Sequence, residues 1–131
     1  MGGLSEYCVT TGSDVSRLPD NLPYEESAIL GCAVFTAYGA VKNSAELRGG
    51  QSVAIVGTGG VGGAVLQFAK SFGAAPIIAV DISNEKLEQA KALGADIGIN
   101  PLETNAVDKI IELTNGGVDV SFEVLGNVQT F

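Results

Sequence analysis

The sequence predicts an α/β fold built on an all-parallel four-stranded sheet in the order 3-2-1-4. Three observations carry that expectation. Short β-prone runs alternate with longer stretches of 3.6-residue periodicity, and such alternation implies strands joined by right-handed helical crossovers. The sharpest change of period falls across a glycine cluster, Gly57-Thr58-Gly59-Gly60-Val61-Gly62-Gly63. A hydrophobic content of 46% with 18 glycines suits buried strands and many tight turns. A length of 131 residues fits one domain.

Residues 2–11 read as a short strand, with Leu4, Tyr7 and Val9 spaced between polar neighbours, and Val15 to Leu22 as irregular chain. Pro23 sits where a helix can start, and Glu25 and Glu26 suit its first turn. The helix expected from Tyr24 to Val41 is apolar nearly all round, so it calls for burial on more than one side. So small a chain offers too little surface for that, which points to a missing partner. Val53 to Val56 form the first strand, and Val61, Val65, Phe68, Ala69 and Phe72 the stripe of the following helix. Ile77 to Val80 are the second strand. Ser83 then caps a helix whose inner stripe is Leu87, Ala90 and Leu93, closed by Gly94. Ile97 to Asn100 make a third strand before Pro101, Asn105 to Thr114 a helix, and Val118 to Leu125 a fourth strand.

The glycine cluster has the form of a phosphate-binding strand-to-helix corner. In Gly57-x-Gly59-x-x-Gly62 the first glycine makes the tight turn and the second lets backbone approach a pyrophosphate. The third lets helix and strand pack closely, and the helix N-terminus adds free N–H groups and a positive dipole end. So short a motif needs support from further along the chain. Asp81 closes the second strand 19 residues after Gly62, near the spacing of the acid that accepts from an adenosine ribose. Ile82 comes next, not the arginine that favours a 2′-phosphate. The plainer alternative is a glycine-rich turn and a surface aspartate with no ligand; the register of all these parts favours a dinucleotide.

A formal charge of −8 argues against nucleic acid as a partner. The longest uncharged stretch, Ser27 to Val41, is too short to span a bilayer, and no basic segment precedes an apolar one near Met1, so a cytoplasmic setting is expected. Cys8 and Cys32 suggest no disulfide framework, and the absence of histidine removes a usual proton shuttle and zinc ligand.

Further motifs lie in line with the glycine corner: Gly2-Gly3-Leu4-Ser5-Glu6-Tyr7, Leu30-Gly31-Cys32 and Thr36-Ala37-Tyr38-Gly39-Ala40 before it. After it come Val80-Asp81-Ile82, Lys91-Ala92-Leu93-Gly94-Ala95, Gly116-Gly117-Val118-Asp119 and Phe122-Glu123-Val124-Leu125-Gly126. With them the sequence resembles the zinc-dependent alcohol dehydrogenases of the medium-chain dehydrogenase/reductase family along nearly its whole length. The resemblance implies a fragment. Residues 1–22 would leave a GroES-like catalytic domain, 23–50 would be the interdomain helix and linker, and 51–131 an incomplete NAD-binding Rossmann domain. It implies NAD as cofactor, a small alcohol or aldehyde as substrate, and zinc in the complete enzyme.

On the same basis Cys32 matches a catalytic zinc ligand; without the resemblance it reads as a buried apolar cysteine. Thr36, near the nicotinamide, is the candidate catalytic residue, or else a helix threonine bonded to its own backbone. Thr58, Gly60 and Val61 would line the pyrophosphate and nicotinamide side. Ile82 and Leu125 would flank the adenine, and Lys86 would reach the ribose; each also has an ordinary structural reading. Such a fragment alone would bind NAD weakly and turn over nothing, and its bare fourth strand would favour self-association. Two other functions stay open: a non-catalytic nucleotide-binding or regulatory module, and a zinc-free quinone or enoyl reductase relative, which Cys32 disfavours.

Overall fold

Val53 to Val56, four apolar residues between a polar approach and the glycine turn, form β1 at the centre of the sheet. The computed structural model describes residues 4–130. β2 (Ile77–Val80), β3 (Ile97–Ile99) and β4 (Val120–Glu123) complete one sheet in the order β3-β2-β1-β4, with every neighbouring pair parallel. This is the expected Rossmann-like order. Val56 stands in register with Val80 on one side and Glu123 on the other. The residues just beyond these three strands therefore emerge together at one end of the sheet, and that coincidence creates the site.

Strand parity divides the core in two. Val53, Ile55, Ile77 and Ala79 face one way, under α3 (Gly60–Ser71) and α4 (Asn84–Leu93), where Val65, Leu66, Ala69, Leu87 and Ala90 are buried. Ile78, Val80 and Ile99 face the other way, against Ala106 and Ile110 of α5 (Ala106–Thr114). Because both faces are covered, β2 is apolar throughout rather than alternating. Asn105 caps α5, its side-chain oxygen accepting from the amides of Val107 (3.1 Å) and Asp108 (3.3 Å). At the far end of the sheet Asp119 takes two hydrogen bonds from Ser52, amide and hydroxyl, both at 2.7 Å.

Four features depart from expectation. Residues 2 and 3 of the strand expected over 2–11 lie outside the described residues, and from Leu4 to Thr11 there is no strand. Leu4, Tyr7 and Val9 are fully or nearly fully exposed, because no neighbouring strand offers this segment a ladder. The helix after Pro23 is not uniform. It runs through α1 (Tyr24–Ser27), a wide π-helical stretch (Leu30–Val34), α2 (Phe35–Gly39) and a second π stretch (Ala40–Ser44). One side buries Ala37 and Val41, while Phe35 and Ile29 remain 64% and 60% exposed, so the all-round apolar surface is satisfied on one face only. β4 is four residues long rather than eight, because its partner β1 is itself only four. Leu93, assigned to the inner stripe of α4, is 40% exposed; Leu87 and Ala90 alone carry that stripe.

Candidate functional site

The site begins where β1 hands over to α3. Gly57 takes φ +93°, a left-handed conformation, and a Cβ there would come within 2.7 Å of Leu125 Cγ. At Gly62 a Cβ would collide with the carbonyl oxygen of Gly57. Both positions are therefore glycine for reasons internal to the fold: a tight turn and a close helix–strand contact. Gly59 and Gly60 differ. A Cβ at either meets nothing within 4 Å, and both residues are exposed. Their smoothness leaves an open cradle at the N-terminus of α3, whose first-turn amides have no intrahelical acceptor. Among the described residues nothing lies within 4 Å of a Cβ placed at either glycine; a diphosphate approaching the amides fits the cradle.

Beside this cradle stands Asp81, only 6% exposed. One carboxylate oxygen accepts from the Thr58 amide (2.9 Å) and the Thr58 hydroxyl (3.0 Å); the other accepts from the Ser83 amide (3.0 Å). Burial acts to raise its pKa. The bonds from Thr58 and Ser83, with the charge of Lys86, outweigh burial and hold the carboxyl below its ordinary value. Asp81 is thus ionised and fixed, and it braces the glycine corner besides facing it. That second task was not visible in the sequence.

The remaining site residues fall into two groups. On the Asp81 side, Ile82 is 65% exposed and Lys86 lies in the first turn of α4; Leu125, 56% exposed, packs over Gly57 from the end of β4. On the other side, Thr36 and Val61 line a cleft of about 610 Å³ with Val65, Phe122 and Val124. At the end of β4, Glu123 accepts from the Thr130 hydroxyl (2.7 Å) and from the Leu125 and Gly126 amides (both 3.0 Å). The Thr130 bond foremost lowers its pKa, burial opposing and the amides adding.

Cys32 is exposed, on the π-helical stretch before α2, so the buried reading of this cysteine fails. Cys8 is exposed as well. Among the described residues no group of three or more His, Cys, Asp or Glu could hold a metal ion. Cys32 supplies a single donor, and these residues alone do not fit a zinc site.

Sequence reasoning missed Asn100. It is buried at the end of β3, and its side-chain amide donates to the Ile82 carbonyl (3.2 Å) and Asn84 Oδ1 (2.8 Å), while its oxygen accepts from the Leu102 amide (3.0 Å). The available signal was a polar residue closing an apolar strand directly before proline.

The family described as zinc-binding dehydrogenase matches residues 60–131, from the first turn of α3 onward. The chain belongs to that family. Alcohol dehydrogenase 6 of Rattus norvegicus is 39% identical over 131 residues, covering 98% of this chain and 35% of the rat protein. S-(hydroxymethyl)glutathione dehydrogenase of Komagataella pastoris is 39% identical over 129 residues, covering 95% of the chain and 34% of its own length. The crystal structure of benzyl alcohol dehydrogenase from Acinetobacter calcoaceticus superposes with a TM-score of 0.84 at 38% identity, covering 87% of this chain and 32% of that one. The chain thus spans about a third of these zinc-binding dehydrogenase relatives. Among its described residues no helix is long and apolar enough to cross a membrane.

Proposed function

We propose that this chain is the NAD-binding part of an alcohol-dehydrogenase-like oxidoreductase, which passes hydride between a small alcohol or aldehyde and NAD. The observation that carries the reading is the open cradle at Gly59 and Gly60 beside the fixed, ionised carboxylate of Asp81. NAD, when bound, supplies the hydride acceptor. The chain's own residues do the positioning. The amides from Gly59 to Gly62 hold the diphosphate, and Asp81 accepts from the ribose hydroxyls and repels a 2′-phosphate. Lys86 contacts the same ribose, Ile82 and Leu125 wall the adenine, and Thr36 and Val61 border the nicotinamide from their cleft. The names of the relatives, which include alcohol dehydrogenases, support the substrate class.

Residues 51–131 serve as the cofactor domain, 23–50 as its interdomain helix and linker, and 1–22 as the exit from a catalytic domain. Cys32 contributes one zinc donor in a complete enzyme; no step through zinc is assigned to the described residues. Calorimetric titration of the chain with NAD and NADP tests the reading. Saturable binding that favours NAD and is lost in Asp81→Ala is expected, with no alcohol oxidation by the isolated chain. NAD binding undiminished by Asp81→Ala, or NADP bound as well as NAD, overturns it.

A further inference from the structure

Three polar residues are buried among those described: Ser27, Asp81 and Asn100. The last two are joined through a single peptide group. The Ile82 carbonyl that accepts from Asn100 belongs to the same peptide unit as the Ser83 N–H, and that N–H donates to Asp81 Oδ1. A peptide unit is planar, so holding its oxygen also sets the direction of its hydrogen. The other carboxylate oxygen is already engaged twice, by the Thr58 amide and hydroxyl. An ionised carboxylate oxygen accepts about two hydrogen bonds. The remaining capacity of Asp81 therefore sits on Oδ1, the oxygen aimed by the Ser83 amide.

We propose that Asn100 is a positioning residue for the adenosine ribose: by gripping the Ile82 carbonyl it aims the Ser83 amide at Asp81 and fixes the carboxylate plane whose Oδ1 receives a ribose hydroxyl. This rests on the nucleotide reading above and extends it to a residue on a different strand. Only an amide side chain suits the position. It donates to Ile82 O and Asn84 Oδ1, with Glu103 Oε1 a longer third acceptor at 3.4 Å, while accepting from the Leu102 amide. Asp, Ser or Leu would each forfeit at least one of these bonds. The Asp81 amide, which donates to the Ile99 carbonyl at 3.2 Å, ties the same loop to β3 one residue earlier. Two peptide groups of the β2–α4 loop, one on each side of the Asp81–Ile82 peptide, are thus registered against the end of β3.

The test compares binding of ADP and 2′-deoxy-ADP, which differ only in the hydroxyl offered to Asp81, with thermal melting of each variant in parallel. The unaltered chain is expected to prefer ADP. In Asn100→Ala that preference falls by about three- to tenfold, the net worth of one ordinary hydrogen bond. Asn84→Ala removes one acceptor of Asn100 but leaves the Ile82 bond, and it keeps the preference. If Asn100→Ala does not fold, Asn100→Asp, which retains the acceptor toward Leu102, carries the same comparison. A folded Asn100 variant with its ADP preference intact overturns the assignment while leaving Asp81 in place. An unaltered chain that binds both nucleotides equally overturns the ribose role of Asp81, and the role of Asn100 with it.

Discussion

At the scale of single residues, the glycines of the corner separate into two kinds, and substitution distinguishes them. Gly62→Ala drives a methyl group into the Gly57 carbonyl and should destabilise the fold by about 1–3 kcal/mol. Gly59→Ala meets open space at φ −71°, so its melting should stay within about 0.5 kcal/mol of the parent. The same change should weaken NAD binding roughly tenfold, about 1.4 kcal/mol, because the methyl occupies the ligand's side of the corner. If Gly59→Ala lowers stability and leaves binding alone, the division is wrong. Asp81 makes a second prediction. Its folded pKa is depressed, so its stabilising effect is complete above the ordinary value of 3.8 and is lost as pH falls through the lower folded value. Denaturant unfolding should show an acid limb below pH 3.8 that flattens in Asp81→Asn. Asp119 and Glu123, also depressed, should leave a residual slope. The sequence made Asp81 legible as the acid after the second strand. Its grip on Thr58 was not, because that contact depends on Val56 and Val80 standing abreast, a register no local pattern records. Asn100 stayed hidden for the same reason: the partners that tie it to the β2–α4 loop, Asn84 and Ile82, lie 16 and 18 residues away.

At the scale of elements, local chemistry was most readable where it is self-sufficient. Ser83 and Asn105 were recognisable as helix starts, and both cap. They should not matter equally. Asn105 accepts from two amides, at 3.1 and 3.3 Å, whereas Ser83 accepts from one at 3.4 Å. Asn105→Ala should therefore cost about 1 kcal/mol and Ser83→Ala about half of that, read as the shift in urea midpoint at constant slope. Equal shifts would mean that the longer bond is as strong as the shorter pair. Elements that depend on a partner were read less well. The spacing of Leu4, Tyr7 and Val9 has the look of a strand, yet spacing alone cannot supply the neighbour a strand requires. The π-helical widening on either side of Phe35–Gly39 left no mark that composition could reveal.

At the scale of the molecule, β4 pairs with β1 and has no other strand beside it among the described residues, while Phe35, Ile29 and Val128 show apolar surface to solvent. Unpaired edges and bare apolar faces favour self-association. Sedimentation over a micromolar range should show mass rising with concentration, and Phe35→Glu should reduce that rise without lowering the melting temperature. A clean monomer throughout would remove this expectation. The placing of β1 has one more effect. It lies between β2 and β4, and Val53 meets Val120, 67 positions later in the chain. During synthesis β1 must wait, with one flank uncovered, until β4 has emerged from the ribosome. A pause in translation before that point would leave the most apolar part of the sheet in need of a chaperone.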